Sequence, residues 1–160
     1  MNVSSAFSTT VRALILARDD GRCVWCGRPW GDRLNVHHRR LRSQGGSGEA
    51  ANGISVCGSG TTGCHGAIHA HPARAAERGH IVRSGDAPTE VPVLSWRGLI
   101  LLDDAGGWSP ADVAQAGSNG TVAGLGWSVS MDYPVGWAQG VRGPFDGSGG
   151  LWPSVPWRVQ

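Results

Sequence analysis

Cysteine and histidine are crowded into one stretch of this chain, in an order that few folds can accommodate. All four cysteines and all six histidines of the 160 residues lie between Cys23 and His80. The run opens with Cys23-Val-Trp-Cys26, passes through His37-His38 and Asn52 to Cys57, and closes with Cys64-His65 and His69. A Cys-x-x-Cys opening followed at short range by more Cys and His has metal-site spacing. With 26 glycines, far above the ordinary share of about 7%, the chain is poorly supplied with core-forming residues. A metal that ties distant segments together is the economical route to a fold.

Charge is distributed unevenly. All fourteen basic residues are Arg. Residues 1–83 hold eleven of them against Asp19, Asp20, Asp32, Glu49 and Glu77, a balance of +6, whereas residues 84–160 hold three against seven acids. The basic half is also the Cys/His half, which suits a polyanionic partner. There is no charged-then-apolar leader pattern and no apolar run near the ~20 residues of a membrane span, so a cytoplasmic protein without membrane association is expected. In a reducing compartment four Cys at these spacings favour metal; a secreted disulfide scaffold is the alternative.

Local patterns place the motif on elements. Residues 11–18 (VRALILAR) have helical spacing, and Asp19-Asp20-Gly21 stops them. Residues 23–29 form a zinc knuckle. Residues 34–41 alternate and carry the His pair on a strand, residues 43–51 (SQGGSGEAA) are a flexible loop by composition, and residues 53–57 form a second strand. A helix follows over 64–70, Pro72 interrupts it, and further helical turns over 73–78 end at Gly79. Residues 91–94 and 99–102 read as a β-hairpin. Residues 1–104 are thus the expected domain, with its core at 11–72, and residues 105–160 a Gly/Pro/Trp-rich, poorly ordered tail.

Two sites emerge. Cys23, Cys26, Cys57 and Cys64 can form an all-cysteine structural Zn2+ site with thiolates at about 2.3 Å. The second pair is unusual in holding six residues between its thiols, and Gly58, Gly60 and Gly63 give that wide loop its freedom. On a strand, His37 and His38 point to opposite faces, so one can face a metal and the other a substrate. On a helix, His65 and His69 share a face and can both approach one ion. His71 points away from that face, and both His71 and His80 are read as solvated.

The ordered set Cys23-x-x-Cys26, Val36-His37-His38-Arg39, Gly45-Gly46, Asn52, Cys57 and Cys64-His65-Gly-Ala-Ile68-His69 resembles the HNH endonucleases, in particular small ones carried by actinobacterial phages. The likeness spans roughly residues 11–72. It implies an α+β fold with a zinc-stapled ββα-metal core: an antiparallel hairpin and a helix around one divalent cation. It assigns His38 as general base, Asn52 as the residue that orients the base or joins the metal, and His37, His65 and His69 as catalytic-metal ligands. The cation stays open among Mg2+, Mn2+, Ni2+ and Zn2+. Arg39, Arg40 and Arg42, directly after the base, are expected on DNA phosphates.

The function expected from this likeness is metal-dependent hydrolysis of DNA phosphodiester bonds, by a monomer that nicks or a homodimer that cuts both strands. By analogy alone, the protein would act beside a phage terminase during DNA processing or packaging, in the host-cell cytoplasm. The alternative is a non-catalytic zinc module that grips nucleic acid through its arginines, keeps the four cysteines and has no use for His38.

Overall fold

The computed structural model describes residues 6–112. Helix α1, Thr9–Arg18, begins where the Ser8 hydroxyl accepts the Val11 amide at 3.2 Å, an N-cap. It ends where Asp20 and Gly21 turn to φ of 53° and 60°. Its buried residues, Ile15 and Arg18, face the hairpin. The Arg18 guanidinium donates to the carbonyls of Ala50 (3.0 Å) and Gly53 (2.7 Å) and pairs with Asp19 at 2.8 Å. Asp19 in turn accepts the Ser55 amide at 2.9 Å. A buried, fully hydrogen-bonded pair thus docks the end of α1 on the hairpin.

That hairpin is β1 (Asn35–His38) antiparallel to β2 (Gly53–Val56), with His37 opposite Ile54 and His38 opposite Gly53. Helix α2 (Gly63–Ala70) follows, and α3 (Pro72–Glu77) starts on Pro72, whose missing amide costs nothing in a first helical turn. Gly79, at φ 69°, stops α3; a side chain there would collide with the Pro92 carbonyl. A second antiparallel sheet comprises β3 (Val93–Ser95), β4 (Gly98–Leu102) and β5 (Trp108–Pro110), in that order. One apolar cluster joins all of this: Val24 and Leu34, Ile54 and Val56 of β2, Ile68 of α2, and Val93, Ile100 and Leu102 of the second sheet, with Cys23, Cys57 and Cys64 among them. The protein is a small α+β fold. No helix among the described residues is long and apolar enough to cross a membrane.

Several expectations change. The strand expected over 34–41 stops at His38. The glycine-rich loop after it is packed rather than loose: Ala50 and Ala51 are buried, and a Cβ on Gly46 would collide with the Arg40 carbonyl. The chain continues past the boundary expected at residue 104, because β5 adds a third strand to the hairpin. Residues 113–160, which make up most of the expected tail, lie outside the described residues.

Arg39 is the sharpest correction. It was expected on phosphate and is instead wholly buried, donating to four backbone carbonyls: Gly79 (2.8 Å), Ala51 (3.1 Å), Pro88 (2.8 Å) and Val91 (2.6 Å). The two-residue period of an extended chain explains this, since His37 points inward and Arg39 follows it there. Burial, with the Arg18 charge second, lowers its pKa to about 9, which leaves it cationic at neutral pH. His80, expected in solvent, is also buried: Nε2 lies 2.8 Å from the Leu94 carbonyl, and the ring stacks on Trp25 at 4.7 Å. The turn at Gly79 carries it inward.

Arg39→Met should destabilise the fold by about 3–5 kcal/mol, because it strands buried carbonyls that only a planar five-donor fork can reach together. Arg39→Lys should recover little of this. Chemical denaturation of the zinc-loaded protein measures both, and a loss below about 1 kcal/mol for the Met variant would refute the bracing role.

Candidate metal centres and the cavity at the histidines

The first centre grows from two turns. Residues 23–28 fold back on themselves: the Cys23 amide donates to the Arg28 carbonyl (3.0 Å), the Gly27 amide to the Cys23 carbonyl (2.8 Å), and Gly27 sits at φ 70°. Residues 57–64 make the wide loop compact. Gly58 and Gly63 take φ of 84° and 61°, a Cβ on Gly58 would meet the Thr62 carbonyl at 2.1 Å, and the His65 amide donates to the Cys57 carbonyl at 3.0 Å. Six intervening residues therefore close as tightly as a knuckle does. The thiols of Cys23, Cys26, Cys57 and Cys64 converge, their sulfurs all within 4.8 Å of one another and those of Cys26 and Cys57 4.0 Å apart. Tetrahedral Zn–S bonds of 2.3 Å require S···S of about 3.8 Å. The cluster is compatible with a structural zinc site.

The four thiols polarise one another. Hydrogen bonding from Cys23 draws Cys26 down to about 7 and lowers Cys57, while Cys23, through Cys26, and Cys64, through Cys23, are pushed up as the donors. A cation that replaces the shared protons relieves this imbalance.

The second centre lies on β1 and α2. His37 points from the strand to the helix, where His65 and His69 stand one turn apart; their candidate ligand nitrogens all lie within 4.8 Å of one another. The ring centroids are 5.1 Å (His37 to His65), 5.2 Å (His37 to His69) and 5.0 Å (His65 to His69) apart. Nε2 of His37 and Nδ1 of His65 are buried without a hydrogen-bond partner, an arrangement that burial makes costly unless something binds there. The His80 backbone also engages the His37 ring, and an imidazole held at one nitrogen can offer the other as a lone pair. Burial first, then the His65 and His69 charges, hold His37 down at about 3; burial, then His69, lowers His65. Three converging imidazoles, two of them with a buried nitrogen that lacks a partner, fit a divalent cation.

The remaining site residues divide. His38 points to the opposite face of β1, and its ring stacks on Phe7 at 4.0 Å. It still lines, with His37, His65, His69, Arg42 and Ser43, one cavity of about 380 Å3. Asn52 is buried and uses its carboxamide on the loop that follows His38. Its Oδ1 accepts the Arg40 amide (2.6 Å), and its Nδ2 donates to the carbonyls of Ser47 (2.8 Å) and Arg40 (3.2 Å). It is not among the residues that line the cavity. The Arg40 guanidinium braces the same loop through the Gln44 carbonyl, 3.1 Å away, while Arg42 is exposed at the cavity.

Sequence reasoning missed Phe7 and Ser43. Phe7 lies in a segment without periodicity, and its only local signal is its place just before the N-cap Ser8. Compared with family models, with curated proteins and with solved structures, the chain matches none of them significantly.

Two predictions follow from this geometry. Purified protein should carry about one tightly held zinc. Cys26→Ser or Cys57→Ser should lose that zinc and cooperative thermal unfolding together, as metal analysis and calorimetry would show; a zinc-free variant that still unfolds cooperatively would rule out a structural role.

The second concerns acid. His80 is held near 3 by burial against an ordinary 6.5. Its stabilising contribution is complete above 6.5 and is lost as pH falls toward 3, because the unfolded chain then binds a proton that the folded one does not. The pH slope of stability over that window should shrink by about one proton in His80→Leu. An unchanged slope would mean that His80 titrates freely in the folded protein.

Proposed function

We propose that this protein is a metal-dependent endonuclease that hydrolyses DNA phosphodiester bonds, with a ββα-metal site of the HNH kind. One observation carries the reading: three imidazoles converge at the wall of a cavity that His38 and Arg42 also line. The order of the residues along the chain and their resemblance to HNH endonucleases support it, as does the succession β1, β2, α2 that presents them.

His37, His65 and His69 would hold the cation, Mg2+, Mn2+, Ni2+ or Zn2+. When bound, it supplies electrostatic stabilisation for the charge that builds on the phosphoryl and leaving oxygens. His38 accepts a proton from the water that attacks phosphorus, a task suited to an imidazole whose ordinary pKa is about 6.5. Attack in line with the leaving O3′ gives 5′-phosphate and 3′-hydroxyl ends. Asn52 clamps the backbone just beyond His38 and so holds the base's strand end in place. Arg42 is set to hold a phosphate beside the scissile one. Arg39 takes no part in DNA contact in this scheme; it braces the strand from inside.

A second reading, a non-catalytic zinc module that grips nucleic acid, draws on a separate cleft of about 420 Å3 lined by Arg28, Pro29, Trp30 and Arg33. Guanidinium groups beside a half-exposed indole suit phosphate and base stacking.

Cleavage of supercoiled plasmid separates the two readings. Wild-type protein should nick or linearise DNA with added divalent metal and not with EDTA. His38→Ala should lower the rate by roughly 10²–10⁴-fold while zinc content and DNA affinity hold. Folded, zinc-loaded protein that binds DNA yet cleaves with none of the four metals would leave the binding module standing.

A further inference from the structure

We propose that Phe7 is a positioning residue for His38, the aromatic backstop that aims the base's imidazole; this rests on the nuclease reading above. The two rings stack at a centroid distance of 4.0 Å with 26° between their planes. That is closer than the usual 4.5–7 Å of aromatic pairs, and it covers a face of the imidazole. Both imidazole nitrogens lie in the ring plane, so packing on the face constrains the side-chain torsions without occupying the edge where protons move.

The local sequence makes this contact. Phe7 precedes the N-cap Ser8, the position from which an apolar side chain ordinarily packs on the fourth residue of the helix. Here the corresponding residue is Arg12, which offers no apolar partner of that kind. The ring turns instead to the hairpin. It lies over the rung where His38 faces Gly53. A Cβ on Gly53 would come within 3.0 Å of the Phe7 ring and 2.3 Å of Ile15 Cδ1, so glycine at this position makes the space that Phe7 and Ile15 fill. The ligand histidine and the base leave β1 on opposite faces. The ligand is aligned by its neighbours on α2, and the base by the segment leading into α1. Without Phe7, His38 keeps its place on the strand but loses the packing on its ring face, and the fraction of time its edge faces the cavity falls.

The test uses the full chain loaded with zinc and saturated with the best cleavage metal, in wild type, Phe7→Leu and Phe7→Tyr. Phe7→Leu should lower kcat by about 10- to 100-fold with KM and zinc content unchanged, and Phe7→Tyr, which keeps the ring, should stay within about threefold of wild type. Exogenous imidazole should restore cleavage to His38→Gly and should do so poorly in His38→Gly/Phe7→Leu, an effect that a general loss of stability does not produce. Independently of activity, the His38 ring protons should be shifted upfield in the wild-type NMR spectrum by the Phe7 ring current. Absence of that shift overturns the proposal, even if Phe7→Leu fails to fold. Wild-type cleavage with kcat unaltered in Phe7→Leu overturns the positioning role alone. A wild type that fails to cleave with any of the metals overturns the nuclease reading and the positioning role together.

Discussion

The convergence of four thiols from two turns is the constraint on which the rest of the structure depends. Cys23 and Cys26 stand before the hairpin, Cys57 directly follows its second strand, and Cys64 lies in the first turn of α2. One ion shared among them would tie the entry, the exit and the helix into a single unit. Structural zinc contributes roughly 10–16 kcal/mol in small finger peptides, as much as or more than the 5–15 kcal/mol net stability of an ordinary domain. A chain this rich in glycine can therefore fold around short strands and an eight-residue helix. The same staple sets the second centre. His65 follows Cys64 directly, so whatever fixes the first turn of α2 also fixes the distance from His65 to His37 across the hairpin.

Two buried arginines complete what the thiols begin. Arg18 ties α1 to the turn before β2, and Arg39 ties the end of β1 to residues 79–91. Neither faces solvent. The +6 balance of residues 1–83 thus overstates the surface charge: Arg18 is matched by Asp19, but Arg39 has no acidic partner among its hydrogen bonds, which leaves a balance of +5. Part of the arginine that composition offered as a nucleic-acid footprint is an internal brace. It is a brace only arginine can make, because its fork reaches several carbonyls at once and it remains charged at the depressed pKa that burial imposes.

What was legible in the sequence is what chain order dictates. The four cysteines that the spacing singled out do converge, and helical and alternating patterns located α1, the hairpin, α2 and the start of the second sheet. Interior direction was less legible. A strand reading says that His37 and His38 diverge, but it does not say that Arg39 must follow His37 inward; only the carbonyls gathered from residues 51, 79, 88 and 91 reveal that. His80 and Phe7 escaped for the same reason, since each owes its place to segments far away in sequence. Residues 43–51 misled through composition. Glycine there permits close backbone packing on Arg40 rather than freedom, and Asn52 converts the loop into a clamp.

Asn52 also shows how the two faces of β1 can be aligned without sharing ligands. The strand delivers His37 to one side and His38 to the other, so no single packing surface can orient both. The inner side is governed by α2 and the backbone of His80; the outer side is governed by Phe7. Between them the backbone itself must not shift, because a one-residue slip would exchange the two histidines. The Arg39 amide donates to the Asn52 carbonyl at 2.8 Å, and the Asn52 side chain grips both polar groups of the Arg40 peptide. Register is therefore locked immediately beyond the pair, where slippage would begin. A site that needs two neighbouring side chains on opposite faces has to fix its backbone more firmly than either side chain, and here a buried amide does so at the end of a four-residue strand.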